Sequence, residues 1–160
     1  MIWSFAIPGG LLAALMFVDE ICFHRRRELP RWERIGHPLD TLSVVICYTL
    51  TLILTPNSQA LLIYGLLSVG SCLLVSKDEK VHARRCEAGE HWLHAMLFML
   101  HPLALLGGAV LWLAPRAGEL GIVLSARDLA SARFVLVAQV CLALLFGLYQ
   151  LIYWNVRWRR

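Results

Sequence analysis

The chain has 160 residues, of which 59% are apolar and only 16% are charged, and its mean hydropathy is +0.64. This excludes an ordinary soluble domain, in which about 45–50% apolar and about 25% charged residues are usual. The net charge of +4 comes from short basic clusters between long apolar stretches. We therefore expect membrane lipids, and no nucleic acid, as partners.

Five apolar stretches follow in chain order, and each is long enough, or nearly so, to cross about 30 Å of hydrocarbon as a helix. The predicted spans are 2–18, 38–55, 60–76, 91–114 and 132–155. The first has no basic leader and no small-residue cleavage site, so we interpret it as a retained span. The predicted fold is an all-α polytopic bundle of about five transmembrane helices, in one integral membrane domain over residues 1–160.

Polar segments between the spans predict where helices begin and end. Residues 55–58 predict a tight turn, because their proline and asparagine end a helix and reverse the chain. Ser125 and Asp128 fit a capping box that starts the fifth helix. The second apolar run is short, so we expect its helix to begin near His37 or Pro38.

The distribution of basic residues predicts the orientation. Twelve of the 15 Lys and Arg residues fall in segments 25–34, 77–85 and 157–160, all on one side of a five-span bundle. The positive-inside rule makes this side cytoplasmic, with the N-terminus outside and the C-terminus inside, in a bacterial-type inner membrane. The five cysteines lie in spans or face this reducing side, so we expect no disulfides.

Acids and histidines crowd onto the same side. Nine of the 11 acidic residues and five of the six histidines fall between Asp19 and His94. Carboxylates and imidazoles three or four residues apart share one face of a helix. Such pairs occur at four predicted helix ends: Glu20 with His24, His37 with Asp40, Asp78 with His82, Glu87 with His91, and Glu90 with His94.

The fourth predicted helix carries a polar stripe. At about 100° per residue, five side chains occupy an arc of about 100°. They are Glu87, Glu90, His91, His94 and His101. A helix that begins only at Glu90 would lose Glu87 from the stripe. His101 precedes Pro102 and is interpreted either as a functional buried histidine or as a partner of a carbonyl that the proline frees.

This pattern predicts a metal centre. Carboxylate and imidazole ligands without thiolate suit iron, manganese or zinc, and helical bundles hold two metals with such residues. We expect two divalent ions, with iron preferred over zinc or manganese, and Glu87 and Glu90 as catalytic residues. The predicted ligands are Glu20, His24, His37, Asp40, Asp78, His82, Glu87, Glu90, His91 and His94.

Several of these residues have structural alternatives. Asp40 could cap the N-terminus of the second helix. Asp19 and Glu20 could be interfacial acids that pair with the arginines of segment 25–27. His37 and His82 could contact lipid phosphates.

Two further features allow more than one interpretation. Segment 78–85 resembles segment 19–26, which indicates either a parallel repeat of two helical hairpins or chance. Glu79, within segment 78–85, also fits a capping box with Ser76.

The glycine-containing helix faces could make close contacts within the chain or in a homo-oligomer. Their glycines are Gly65, Gly70, Gly107 and Gly108.

Ligands at the cytoplasmic ends of helices give the chain an architecture that resembles the membrane fatty-acid hydroxylases and desaturases. The paired adjacent histidines of those families do not occur here, and segment 90–94 is the nearest fragment, so the resemblance transfers no residue roles. The expected function is a membrane-embedded dimetal enzyme, a di-iron-type oxidoreductase or hydroxylase acting on a lipid, fatty acid or quinone. The alternatives are a zinc-dependent membrane hydrolase and a metal-ion transporter or sensor.

Overall fold

The computed structural model describes residues 2–26, 29–77 and 86–157. Within these ranges the chain is all-helical. The long helices are α1 (Ile2–Cys22), α2 (Arg31–Ile53), α3 (Ser58–Ser76), α4 (Ala88–Leu113) and α5 (Ala126–Ile152). Short helical turns continue α1, α4 and α5 at His24–Arg26, Ala114–Leu120 and Tyr153–Arg157. The predicted helical bundle is confirmed, since five helices are long and apolar enough to cross a membrane.

Helix boundaries follow local capping chemistry. Asn57 starts α3 by accepting a hydrogen bond from the backbone N–H of Ala60 at 2.9 Å. Ser125 and Asp128 form the predicted capping box of α5, each side chain bonding the other's backbone N–H.

The N-terminus of α2 differs from the prediction. Proline is compatible with a helix start, and with Pro30 at the N-cap the helix begins at Arg31, so that Pro38 lies inside it. Asp40 consequently lies in the third turn of α2, and its interpretation as an N-cap was wrong.

Helix α1 packs chiefly on α4, and α2 packs chiefly on α5, while α3 lies beside α2 and α4.

Two glycines let helices approach α4 closely. A Cβ at Gly107 would collide with the backbone oxygen of Phe5 in α1, and one at Gly108 would collide with the ring of Tyr48 in α2. The Tyr48 hydroxyl donates to the Ala104 carbonyl at 2.9 Å. Gly107 and Gly108 therefore make contacts within the chain.

The outer surface of the bundle is strongly apolar. Ile53 is 72% exposed, Leu66 65% and Leu73 67%, and many other large aliphatic side chains also face outward. Such a surface is unfavourable in water and is satisfied by lipid. Together with the five long apolar helices, it indicates an integral membrane protein.

Two glycine-to-alanine changes should have opposite effects on stability. Gly107→Ala should lower the free energy of unfolding by about 1–3 kcal/mol, because the backbone of Phe5 cannot make room for a methyl group. Gly70→Ala should raise it by up to about 1 kcal/mol, since alanine is the better helix former and a Cβ at Gly70 meets no described atom within 4 Å.

Denaturation of both variants in detergent measures the difference. Equal stability of the two proteins would show that α1 and α4 do not touch at Gly107.

Candidate metal centre

Four buried side chains converge where the end of α1 meets the start of α4. Asp19 and His24 come from α1 and the turn after it, and Glu90 and His94 come from the first two turns of α4. Each is at most 5% exposed. One ligand atom from each residue lies within 4.8 Å of the others, so the group could hold a metal ion.

The separations within the group fit coordination. The Nε2 atoms of His24 and His94 lie 3.3 Å and 3.1 Å from Oδ2 of Asp19, and Nε2 of His24 lies 3.8 Å from Oε1 of Glu90. Ligands about 2.1 Å from a tetrahedral ion lie about 3.4 Å apart. Small side-chain movements would therefore suffice to place an ion between these atoms.

The chain brings His24 over Asp19 by leaving the α-helical path. α1 ends at Cys22, and the tighter turn His24–Arg26 folds His24 back towards the last turn of α1. The Phe23 backbone N–H still bonds the Asp19 carbonyl at 3.0 Å. The ring of Phe23 lies beside Gly89, which joins this turn to the start of α4. Asp19 and His24 thus meet although they are five residues apart.

A second potential ligand group shares His24. It adds Glu33 and His37, which are four residues apart on α2, and its ligand atoms also lie within 4.8 Å of one another. The ring centroids of His24 and His37 are 4.6 Å apart, and Glu33 is completely buried. A neutral imidazole has one acceptor nitrogen, so His24 can serve one ion at a time.

Glu20 supports His24 from the side opposite Asp19. Its carboxylate lies 3.6 Å from Nδ1 of His24 and accepts hydrogen bonds from the Tyr149 hydroxyl at 2.6 Å and the Trp154 indole at 3.1 Å. The Arg25 guanidinium donates to the Tyr149 hydroxyl. A carboxylate behind a histidine is the usual device that fixes the ring of a metal ligand. Glu20 is thus placed to orient His24.

Burial makes a cation favourable here. Asp19, Glu20 and Glu90 surround His24 within 3.8 Å. Three ionised carboxylates would outweigh even two protonated histidines, and unbalanced buried charge costs several kcal/mol. In addition, Oδ1 of Asp19 is buried and accepts no hydrogen bond from the part of the chain that the structure describes. A divalent ion would balance the charge and give that oxygen a partner.

A polar cavity of about 70 Å³ adjoins the group. It has room for on the order of five water molecules at about 10–15 Å³ each. Its polar lining includes Asp19, His24, His37, His94, His101 and Gln150. An ion in the group would therefore be accessible to a small molecule.

The structure does not bring all the predicted ligands together. Glu87 stands at the N-cap of α4 in an extended conformation, so helical arithmetic does not apply to it, and both Glu87 and His91 are exposed. Asp40 pairs with Lys77 at 2.7 Å, although it also lines the polar cavity. Asp78, Glu79 and His82 lie outside the described residues, and so does the second half of the proposed repeat.

His101 makes a helix-to-helix contact. Its Nε2 atom lies 2.9 Å from the Ser71 hydroxyl, which lies 2.6 Å from the Ser43 hydroxyl. The histidine thus joins α4 to α3 and α2 through hydroxyl groups.

Two members of the ligand groups were not predicted as ligands. Glu33 is four residues before His37. The spacing of three or four residues that identified the other carboxylate–imidazole pairs therefore also identifies this one. Asp19 was considered only as an interfacial acid that pairs with the arginines of segment 25–27, and it lies five residues from His24, outside the three- or four-residue spacing. Only the turn after α1, which no pattern in the sequence specified, brings those two together.

No protein-family model, curated protein or solved structure matches this chain. The chemistry of the group follows from its donors, which are two imidazole nitrogens and two carboxylates in a buried site.

Substitutions at two neighbouring histidines should separate the buried group from the exposed face of α4. His94→Ala should lower metal affinity by at least about tenfold, because it removes a ligand 3.1 Å from Asp19. His91→Ala should leave affinity unchanged, since His91 is exposed. Glu20→Gln should weaken binding by about 10–100-fold through the orientation of His24.

Metal content after dialysis against a metal buffer measures these effects. Equal losses in the His91 and His94 variants would contradict this geometry.

Proposed function

We propose that this protein is a membrane-embedded metalloenzyme whose ions are bound by Asp19, His24, Glu90 and His94, with Glu33 and His37 completing the centre. The observation that carries the proposal is the convergence of buried carboxylates and imidazoles from three helices beside a polar cavity. If these side chains only held the helices together, a cavity beside them would not be needed, so the cavity favours a functional site.

The donors favour iron and oxidoreductase chemistry. Two histidines with one carboxylate form the usual ligand set of non-haem iron oxygenases, and helical bundles hold di-iron sites with added carboxylates. The six residues provide three carboxylates and three imidazoles, which suits two divalent ions with His24 bound to one of them. Bound iron would supply the redox chemistry that side chains lack.

The residues around the ions would orient substrate and move protons. The Glu90 carboxylate lies 3.8 Å from His24, which leaves it room to act as a proton acceptor. Glu20 would hold the His24 ring through Nδ1. The substrate would be an apolar molecule such as a lipid, fatty acid or quinone, because the centre lies at the end of a bundle with a lipid-facing surface.

The same proposal includes the orientation. The end of the bundle that contains the ligand group also contains Arg25, Arg34, Lys77 and Arg157. The positive-inside rule would place this end, and the metal centre with it, on the cytoplasmic side of a bacterial-type inner membrane.

Metal analysis with an absorption spectrum of detergent-purified protein tests the proposal. We expect about two irons per chain and no Soret band. Stoichiometric zinc that iron does not replace would instead favour hydrolysis. Protein that stays metal-free after reconstitution with iron, manganese and zinc would overturn the metal centre.

A further inference from the structure

A second, apolar cavity lies between α1, α2 and α5. It has a volume of about 350 Å³, within the range of about 300–1,000 Å³ that small-molecule sites occupy. Because α1 packs chiefly on α4 and α5 chiefly on α2, the contact between α1 and α5 is less extensive and leaves this space between them. Small residues on the cavity side, including Ala6, Gly10 and Ala13 of α1 and Ala138 and Ala143 of α5, widen it further.

The lining of this cavity is chemically apolar. Thr41, Tyr48 and Gln139 are among its few polar residues. The hydroxyls of Thr41 and Tyr48 are already engaged, whereas the Oε1 atom of Gln139 is buried and accepts no hydrogen bond within the described residues. Thr41 donates to the Gln150 side chain at 2.9 Å, and Tyr48 donates to the Ala104 carbonyl. Aromatic and aliphatic side chains, among them Phe17, Phe134 and Phe146, form much of the rest. Such a surface favours a hydrocarbon chain.

The apolar cavity adjoins the polar cavity beside the candidate metal centre. Leu12, Met16, Thr41, Val44 and Phe146 line both. Along α1 the order is Trp3 at the far end, Met16 at the junction and Asp19 at the metal group. From Trp3 to Asp19 the distance is about 24 Å at about 1.5 Å per residue, which is most of the thickness of the hydrocarbon layer.

From these shared lining residues, and on the basis of the proposed function, we propose that the apolar cavity binds the chain of a long-chain fatty acid, or of the corresponding alcohol or aldehyde, and directs its oxygen-bearing end to the metal centre. The polar cavity of about 70 Å³ selects this class, because it accommodates a carboxyl or hydroxyl group but not a phospholipid headgroup. A substituted quinone ring is larger than a carboxyl group, so competition by a quinone tests the assigned class. The substrate would enter sideways between α1 and α5.

Photolabelling tests this proposal. The probe is palmitic acid with a diazirine near the middle of its chain, added to the purified, metal-loaded protein in detergent, and the adducts are located by peptide mass spectrometry. We expect adducts to concentrate in residues 6–17 and 134–146. Unlabelled palmitic acid or hexadecanol should displace the probe, whereas phosphatidylethanolamine and a short-tailed ubiquinone should not.

Two glycine-to-phenylalanine variants form a matched pair, one that fills the apolar cavity and one control outside it. A Cβ at Gly10, which lines the cavity, and one at Gly65, on α3, each meet nothing within 4 Å among the atoms that the structure describes. Gly10→Phe should lower labelling of the two segments at least fivefold, and Gly65→Phe should leave it unchanged. Ala138→Phe fills the cavity from the opposite wall and replaces Gly10→Phe if that variant does not fold.

Three results would overturn the proposal. The first is adducts as frequent on α3 as in residues 6–17 and 134–146. The second is adducts that palmitic acid and hexadecanol do not displace. The third is equal labelling of Gly65→Phe and of a folded cavity-filling variant. Displacement by the phospholipid or the quinone would overturn the assigned class. The metal content of the protein distinguishes failure of the fatty-acid site from failure of the proposed metal centre. A folded Gly10→Phe protein with full metal content and unchanged labelling removes the cavity site and leaves the metal centre intact.

Discussion

Burying a carboxylate is expensive, and one end of this bundle buries four of them, Asp19, Glu20, Glu33 and Glu90. Three of the four lie within 3.8 Å of a single imidazole, that of His24. The positions of α1, α2 and α4 at this end all have to satisfy that cluster. A metal ion would offset this cost, because it would replace mutual repulsion between carboxylates with shared coordination.

Helix α1 packs closely against α4 and less closely against α5. Gly107 holds α1 against α4, which fixes Asp19 and His24 relative to Glu90 and His94. On its other side α1 faces α5 across the apolar cavity. The close contact at Gly107 would maintain the ligand geometry, and the apolar cavity would give access from the lipid. Both depend on small residues. Phe5 fills the space at Gly107 and the Gln139 side chain of α5 fills the space at Gly9, whereas a Cβ at Gly10 would meet no described atom within 4 Å.

The sequence predicted much of this arrangement. Hydropathy predicted the five helices, and short-range rules predicted the start of α5, because these features depend on neighbouring residues. Helical spacing identified His24, Glu90 and His94. It also selected Glu87, which stands at the N-cap outside the regular helix, and His91, which is exposed because a 100° arc is wider than the face that α4 buries. Asp19, expected as an interfacial acid, joins the candidate ligand group, and Glu20, expected as a ligand, lies behind His24, because the turn after α1 depends on tertiary packing against α4. The homo-oligomer, the repeat and the membrane side stay predictions.

The central claim is that buried imidazoles and carboxylates, and no thiolate, bind the metal. X-ray absorption at the metal edge of the loaded protein measures this directly. We expect a first shell of nitrogen and oxygen at about 2.0–2.2 Å, with outer-shell scattering from at least two imidazoles that weakens in His94→Ala. A sulfur shell at about 2.3 Å would contradict the account, and so would a spectrum without imidazole scattering.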